Sequence, residues 1–270
     1  MSTTSTTSTN APEKAEPRRL SAVERPDVLI YPDRAAMGAA AAEAGAAVLR
    51  RVIAERGGVS AVFASAPSQE EFLRGLAEAP DIEWSRVTAF HLDEYVGLPG
   101  DAPQAFGQFL RDRLFGRVRP GKVHYLDGNA PDVAGECARY TALLREKPLD
   151  VSFVGIGENG HIAFNDPHVA LFDDPEVVKV VELDERSREQ QVHDGCFSSL
   201  ALVPRAALTM TMPAIVNVPR VLCMVPGPTK AQAVRDTLTG PIETACPASI
   251  LRRHANATLF IDEHSAALLM

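Results

Sequence analysis

Long apolar runs, basic runs and paired cysteines are missing from this sequence of 270 residues, and each absence excludes a class of protein. No apolar run approaches the roughly 20 residues that a membrane-spanning helix needs, so we expect no membrane partner. The net charge is −8 and no basic stretch offsets it, which argues against a nucleic-acid partner. The four cysteines are far apart and form no C-x-x-C pair, so we expect free thiols and a cytoplasmic location.

The N-terminus also lacks the hydrophobic segment of a secretory signal, because residues 1–10 are low in complexity and contain no apolar residue after Met1. We predict a disordered tail over residues 1–26 and a single domain over residues 27–270. Apolar residues make up 46% of the chain and charged residues 23%, which is ordinary for a globular protein with a full core.

Apolar strands alternate with helical segments along the rest of the chain. Asp33 is placed to cap a long alanine-rich helix that ends at Gly57, and Ser68 to cap a helix over residues 69–79. Asp132 is placed to cap a helix that runs to about Glu146. The strands are apolar on both faces, which is typical of a parallel sheet covered on both sides. We therefore predict an α/β fold, doubly wound and Rossmann-like, with a mostly parallel sheet and helices on both faces.

Two further segments are predicted to be helical on weaker patterns. Residues 208–216 have a helical pattern that Pro213 interrupts. Residues 263–269 are predicted to form a closing helix.

A glycine-rich turn follows the apolar segment 149–154 and allows several interpretations. Gly155-x-Gly157-x-x-Gly160 matches a dinucleotide-binding fingerprint, but residues 163–175 contain two prolines where that motif needs a helix. The glycines could equally serve backbone geometry alone. A metal site built from His161, Asp166 and His168 has a spacing that fits no familiar ligand set.

Polar side chains follow four of the predicted strands, and parallel strands bring such turns to one edge of a sheet. These side chains are Ser65 and Ser68, Asp93 and Glu94, the group Asn159, His161 and Asp166, and Thr229 with Lys230. Neighbours in an extended turn point to opposite sides, so only one of the two acids should face a shared pocket.

Each of these residues has a functional and a purely structural interpretation. Histidine has an intrinsic pKa suited to proton transfer near neutral pH, but a turn histidine can also simply bond the backbone. Lys230 and Arg188 could hold an anion such as phosphate, or could be isolated surface cations. Asp93 and Glu94 could likewise form only a solvated acidic turn.

Two long motifs, Phe90-His-Leu-Asp-Glu-Tyr-Val-Gly-Leu-Pro99 and Gly155-Ile-Gly-Glu-Asn-Gly-His-Ile-Ala-Phe-Asn-Asp-Pro167, resemble the glucosamine-6-phosphate deaminase (isomerase) family. The resemblance extends through Val225-Pro-Gly-Pro-Thr-Lys230 and covers roughly residues 30–268. The related 6-phosphogluconolactonases share the glycine-rich turn but not the Asp-Glu-Tyr motif.

The resemblance implies conversion of glucosamine 6-phosphate and water to fructose 6-phosphate and ammonia, without a cofactor or a metal. It implies that His161 opens the sugar ring, that Asn159 and Asp166 orient it, and that Asp93 moves a proton from C2 to C1. Arg188 and Lys230 match the family's phosphate-binding cations. It also implies a small-molecule phosphosugar as substrate and assembly into a homo-oligomer.

Three departures from the family pattern carry further expectations. Asn159 can orient His161 but carries no charge. Asp166 is one methylene shorter than the usual glutamate, so we expect it to need a shifted backbone or a water to contact His161. Residues 64–68 replace a glycine-rich phosphate loop, where Pro67 offers no amide donor and the hydroxyls of Ser65 and Ser68 could substitute.

Two alternative functions fit the same residues. One is an isomerase or lactonase that acts on another phosphosugar. The other is a sugar-phosphate-binding regulator with weak or no catalysis.

Overall fold

The computed structural model describes residues 15–20 and 25–269, and its strands and helices alternate along most of the chain. The strands are β1 (Arg18–Arg19), β2 (Asp27–Tyr31), β3 (Val59–Phe63), β4 (Val87–His91), β5 (Asp93–Tyr95), β6 (Lys122–His124), β7 (Val151–Val154), β8 (Val178–Glu182), β9 (Ala206–Met210), β10 (Arg220–Val225) and β11 (Ala257–Asp262). The α-helices are α1 (Arg34–Arg56), α2 (Glu70–Glu78), α3 (Phe106–Leu110), α4 (Gly116–Val118), α5 (Val133–Glu146), α6 (Glu185–His193), α7 (Met212–Val216) and α8 (Ala231–Thr239).

The main sheet has eight strands in the order β1-β2-β11-β10-β7-β3-β4-β6. Every neighbouring pair is parallel except β1 and β2. The central strands β10, β7, β3 and β4 therefore end side by side at one edge, which is where ligands bind in open α/β sheets.

Each face of this sheet is buried under its own hydrophobic core. On β7, the side chains of Val151 and Phe153 join the core under α1 and α2, and Val154 joins the opposite core under α5 and α8. Successive residues of a strand point to opposite faces, so a strand covered on both sides is mainly apolar. The prediction of a doubly wound, mostly parallel α/β domain is confirmed.

A second sheet of three strands, in the order β5-β9-β8, was not predicted. Both of its strand pairs are antiparallel. A third, smaller core fills the space beside it and contains Tyr95, Phe106, Phe164 and Phe197. This small sheet holds β5, and with it Asp93, directly after β4.

The local signals for helix starts are mostly correct. Asp33 caps α1 by accepting a hydrogen bond from the Ala36 amide, and Gly57 ends the helix in the left-handed conformation. Asp132 caps α5 in the same way. Ser68 does not cap α2, because it lies inside the 3₁₀ turn Pro67–Gln69 that precedes the helix.

Two of the predicted helices are wrong in part or in full. Within residues 208–216, β9 runs to Met210 and α7 begins only at Met212, with Pro213 in its first turn where a missing amide costs nothing. β9 is extended because it pairs with strands on both sides, which overrides its helical pattern. Residues 263–269 form turns rather than a helix.

The predicted N-terminal tail lies largely outside the described residues, which omit 1–14 and 21–24. Within its predicted range, Arg18 and Arg19 form β1 and pair with Ile30 and Leu29. Arg18 and Arg19 therefore belong to the main sheet. None of the helices in the described part of the chain is long and apolar enough to cross a membrane.

Candidate active site

Four strand ends meet at one pocket, as the parallel sheet requires. Ser65 and Ser68 follow β3, Asp93 follows β4, His161 follows β7 and Lys230 follows β10, and all five side chains line this pocket. The pocket has a volume of about 60 Å³. It adjoins a cavity of about 460 Å³, because Ser65, Phe106 and Gln191 line both.

The two adjacent acids have separate environments. Asp93 is only 6% exposed and lines the pocket, and burial, together with the nearby charge of Glu94, raises its pKa well above the usual value. Glu94 points away and accepts hydrogen bonds from the amides of Tyr95, Phe106 and Gly107 at 2.9–3.0 Å. Glu94 thus anchors the start of α3, and Asp93 is the acid available for chemistry.

The glycine-rich turn packs closely against the imidazole ring of His161. A Cβ at Gly157 would come within 2.0 Å of the His161 Cε1 atom and 2.2 Å of Nε2. Gly160 has a φ of 83°, a left-handed conformation that favours glycine. The glycines therefore serve close packing around His161 as well as the turn itself.

Three oxygens surround the His161 Nδ1 atom. Asn159 Oδ1 lies 2.7 Å away, Ser187 Oγ 3.0 Å and Asp166 Oδ1 3.1 Å. A carboxylate oxygen and an amide oxygen can only accept, so Nδ1 carries the proton and donates it. Nε2 of the neutral ring is then left as a base on the side of the pocket.

Asp166 supplies the charge of this cluster. Burial would raise the pKa of this fully buried carboxyl, but hydrogen bonds from His161, Asn159 and Ser187 lower it far below the usual value. Asp166 therefore stays ionised beside the ring. Its direct contact with Nδ1 shows that no bridging water is needed, and it supplies the charge that Asn159 lacks.

Only one of the two predicted anion-binding cations lies in the pocket. Lys230 is 4% exposed, its Nζ atom has no hydrogen-bond partner, and burial lowers its pKa. Arg188 does not line the pocket, and its guanidinium donates to the carbonyls of Leu200 and Val203 instead. The structure therefore does not bring Arg188 to this pocket, because its helix directs the side chain towards the 200–203 segment.

Several residues of the site were missed from the sequence. Ser187 is buried in the first turn of α6 and bonds both His161 and Asp166. Gln190 accepts a hydrogen bond from the Glu158 amide and so ties α6 to the glycine-rich turn. Gln69 and Gln191 also line the pocket. The only signal for Ser187 was its position at the start of a helix that follows a strand.

The other interpretations of the turn find little support. Residues 161–175 contain no helix, which a dinucleotide fingerprint requires directly after its glycines. His168 bonds the Glu182 carbonyl, away from the cluster around His161. No group of three or more potential metal ligands is found among the described residues.

Comparison with known proteins identifies a family of similar sequences. The sequence model described as glucosamine-6-phosphate isomerases/6-phosphogluconolactonase matches residues 32–260. A glucosamine-6-phosphate deaminase of an Arthrobacter species is 35% identical over 246 residues, which is 90% of this chain and 92% of that protein. A glucosamine-6-phosphate deaminase of Lactobacillus delbrueckii subsp. bulgaricus is 38% identical over 71% of this chain and 80% of that protein.

Solved structures share the fold. A monomeric glucosamine-6-phosphate deaminase superimposes with a TM-score of 0.82 at 31% identity, covering 89% of this chain and 99% of that one. A 6-phosphogluconolactonase from Shewanella baltica superimposes with a TM-score of 0.74 at 18% identity, covering 89% of this chain and 99% of that one. The second likeness concerns the fold alone.

Proposed function

The chain belongs to the family of glucosamine-6-phosphate isomerases and 6-phosphogluconolactonases, and we propose that it is an amino-sugar-phosphate deaminase. It converts glucosamine 6-phosphate and water into fructose 6-phosphate and ammonia. The observation that carries this proposal is the presence of two different proton-transfer groups, Asp93 and His161, in the lining of one pocket.

Ring opening is assigned to His161. Its Nε2 atom takes the proton of the C1 hydroxyl, and the same proton returns to the ring oxygen as the C1–O bond of the ring breaks. The imidazolium formed in between is stabilised by the ionised Asp166, whose Oδ1 lies 3.1 Å from Nδ1. Asn159 and Ser187 hold the ring in orientation through the same nitrogen.

Isomerisation is assigned to Asp93. Its carboxylate takes the C2 proton of the open-chain amino aldehyde and returns it to C1. A proton of the amino group passes to the C1 oxygen, which leaves an imine at C2 and a hydroxyl at C1. Water adds to that imine, and ammonia leaves to give fructose 6-phosphate. A buried carboxyl with a raised pKa is a stronger base than an exposed one, which suits the removal of a proton next to a carbonyl.

The C6 end of the substrate, which is remote from the reacting atoms C1 and C2, is assigned to Ser65, Ser68 and Lys230. These three residues line the pocket together. Lys230 is an ammonium without a partner and therefore supports an anionic or electron-rich group at this end.

The test is a coupled assay for ammonia and fructose 6-phosphate with purified protein. We expect turnover of glucosamine 6-phosphate, a loss of at least about 100-fold in kcat with Asp93→Asn, and a similar loss with His161→Gln. Arg188→Gln is the matched control, because Arg188 lies outside the pocket, and it should keep its activity. A folded protein that releases no ammonia but hydrolyses 6-phosphogluconolactone would contradict the proposal in favour of a lactonase.

We also propose that the reaction takes place in the cytoplasm. The four cysteines, Cys137, Cys196, Cys223 and Cys246, are free thiols, which supports a reducing compartment. Assembly into a homo-oligomer stays a prediction, to be measured by sedimentation.

A further inference from the structure

The Lys230 ammonium lies in the pocket without a contact of its own to fix it. The residue is 4% exposed, and its Nζ atom has no hydrogen-bond partner among the described residues. A lysine side chain is a point charge on a flexible stem, so its charge is held in place only if its backbone is held. The placement of this cation therefore depends on the turn that carries it.

That turn, residues 226–229, follows β10 and contains Pro226 and Pro228. Proline has no backbone N–H, so Gly227 is the only residue among 226–228 whose amide can donate to a neighbouring element. Gly227 has a φ of 95° and a ψ of 156°, a conformation that is open essentially to glycine alone. Its carbonyl accepts a hydrogen bond from the Lys230 amide at 3.2 Å. The position of Gly227 thus sets the position of the Lys230 backbone.

Asp262 holds the Gly227 amide from the neighbouring strand. β10 and β11 are parallel neighbours, so Asp262 at the end of β11 lies beside the turn that follows β10. Both carboxyl oxygens of Asp262 lie 3.1 Å from the Gly227 nitrogen. The carboxyl is fixed in turn, because its residue is 1% exposed and Oδ1 also accepts from the Ser265 amide at 2.8 Å.

A continuous series of hydrogen bonds therefore connects a buried carboxyl with the backbone of Lys230. Asp262 accepts from the Gly227 amide, and the Gly227 carbonyl accepts from the Lys230 amide. Asp262 itself does not line the pocket. Without this acceptor the Gly227 amide would lose its partner, which is costly for a buried group, and the turn would shift to find another. The cation would move with the turn.

We propose that Asp262 is a positioning residue that holds the Lys230 ammonium where the phosphate of the substrate binds. This inference rests on the proposed function, in which Lys230 binds the C6 end of a phosphosugar. It makes a carboxyl outside the pocket a determinant of affinity for that end.

The test measures binding of 2-amino-2-deoxyglucitol 6-phosphate, which cannot react because it lacks the C1 carbonyl. Its dissociation constant is measured by calorimetry for the wild-type protein, Asp262→Ala, Lys230→Met and the double variant. Asp174→Ala is the matched control, because Asp174 is another buried acid that accepts from a backbone amide, that of Glu176, and lies outside the pocket. Circular dichroism establishes that the variants are folded.

We expect Asp262→Ala to weaken binding at least about tenfold and Asp174→Ala to change it less than about twofold. Lys230→Met should weaken binding about 10- to 100-fold, the range for a hydrogen bond from a charged group. Because Asp262 acts through Lys230, Asp262→Ala should weaken binding less than about twofold in the Lys230→Met background. A carboxyl that only stabilised the fold would give the same factor in both backgrounds.

Unchanged binding in Asp262→Ala, or the same loss in both backgrounds, overturns the inference and leaves the proposed function intact. A wild-type protein that does not bind the analogue contradicts the assignment of the C6 end, and the inference falls with it. Ammonia release from the wild-type protein decides on the proposed function separately.

If Asp262→Ala does not fold, Gly227→Ala tests the other end of the same hydrogen bond. The added Cβ would meet no atom within 4 Å, but a φ of 95° strains an alanine, so the turn should shift. Gly97→Ala is the control, since Gly97 has a φ of 82°, the same open space and a place outside the pocket. Only Gly227→Ala should weaken binding, and only while Lys230 is present. Equal binding by the two glycine variants overturns the inference.

Discussion

Ser187 is the residue whose position most extends the proposed mechanism. Its hydroxyl donates to Asp166 and lies 3.0 Å from His161 Nδ1, so it links the charge of the cluster to the ring. Since it touches neither the pocket nor the substrate, its role is to position His161.

We expect Ser187→Ala to lower kcat about tenfold with little change in KM, because one buried hydrogen bond to a charged group contributes roughly 1.5–3 kcal/mol. Ser187→Thr keeps the hydroxyl and should recover most of the loss. Steady-state kinetics on the three proteins provide the measurement. A purely structural role is indicated if both variants lose stability and kcat together.

The buried carboxyl of Asp93 should make the folded protein less stable as the pH rises. The pKa of Asp93 is higher in the folded protein than in the unfolded chain. Between these two pKa values the folded state holds one more proton than the unfolded state. The free energy of unfolding therefore falls as the pH rises through the pKa of the folded protein. Asp93→Asn should therefore raise Tm at pH 8 by a few degrees, with a smaller gain at low pH. Calorimetry over a pH series measures this.

Glu94→Gln is the matched control, since it changes the neighbouring buried acid in the same way. Glu94 already accepts from three amides, and a glutamine nitrogen would face one of these donors. At every pH at which Glu94 is ionised, the Glu94→Gln variant should be less stable than the wild-type protein. A gain in Tm with Glu94→Gln, or none with Asp93→Asn, would contradict the assignment of the two acids.

At the scale of an element, the glycine-rich turn is shaped by the ring that it supports. Gly157→Ala should displace the His161 ring, because the added Cβ would lie 2.0 Å from Cε1. A shift of about 1 Å in a catalytic group can cost about 100-fold in rate. Ammonia release measures the loss, and Gly100→Ala is the control, since nothing lies within 4 Å of its Cβ. Normal kcat in Gly157→Ala would refute this account of the turn.

β9 illustrates a limit of predicting secondary structure from sequence. Residues 208–216 have a helical pattern, yet Leu208 pairs with Glu94 on one side and Val180 on the other. Both partners are distant in sequence, so no local pattern announces them. At the Asp33 and Asp132 caps, the hydrogen-bond partner is the backbone of the same helix. The local sequence was therefore sufficient to predict these helix starts.

At the scale of the whole molecule, the small sheet cannot separate from the large one. β5 follows β4 after one residue, and Phe164 of the glycine-rich turn packs with Tyr95 in the third core. We therefore expect one cooperative unfolding transition in urea. Fluorescence of Trp84, the single tryptophan, far-ultraviolet circular dichroism and loss of activity should coincide. Separate midpoints would indicate two independently folding units.

The sequence by itself determined the alternation of strands and helices, the parallel sheet and the turns that hold Asp93, His161 and Lys230. These follow from local chemistry: apolar runs, caps and glycines, together with the rule that parallel strands end at one edge. The reaction was predicted from the resemblance of the two long motifs to a known family.

Only the tertiary structure decided which side chains face the pocket. Ser187 and Arg188 are neighbours on α6, but successive residues of a helix point about 100° apart, so one contacts His161 and the other the carbonyl of Leu200. The direction of each side chain depends on how α6 packs against the turn and against residues 200–203. That packing is set by contacts between residues far apart in sequence, which no local pattern contains.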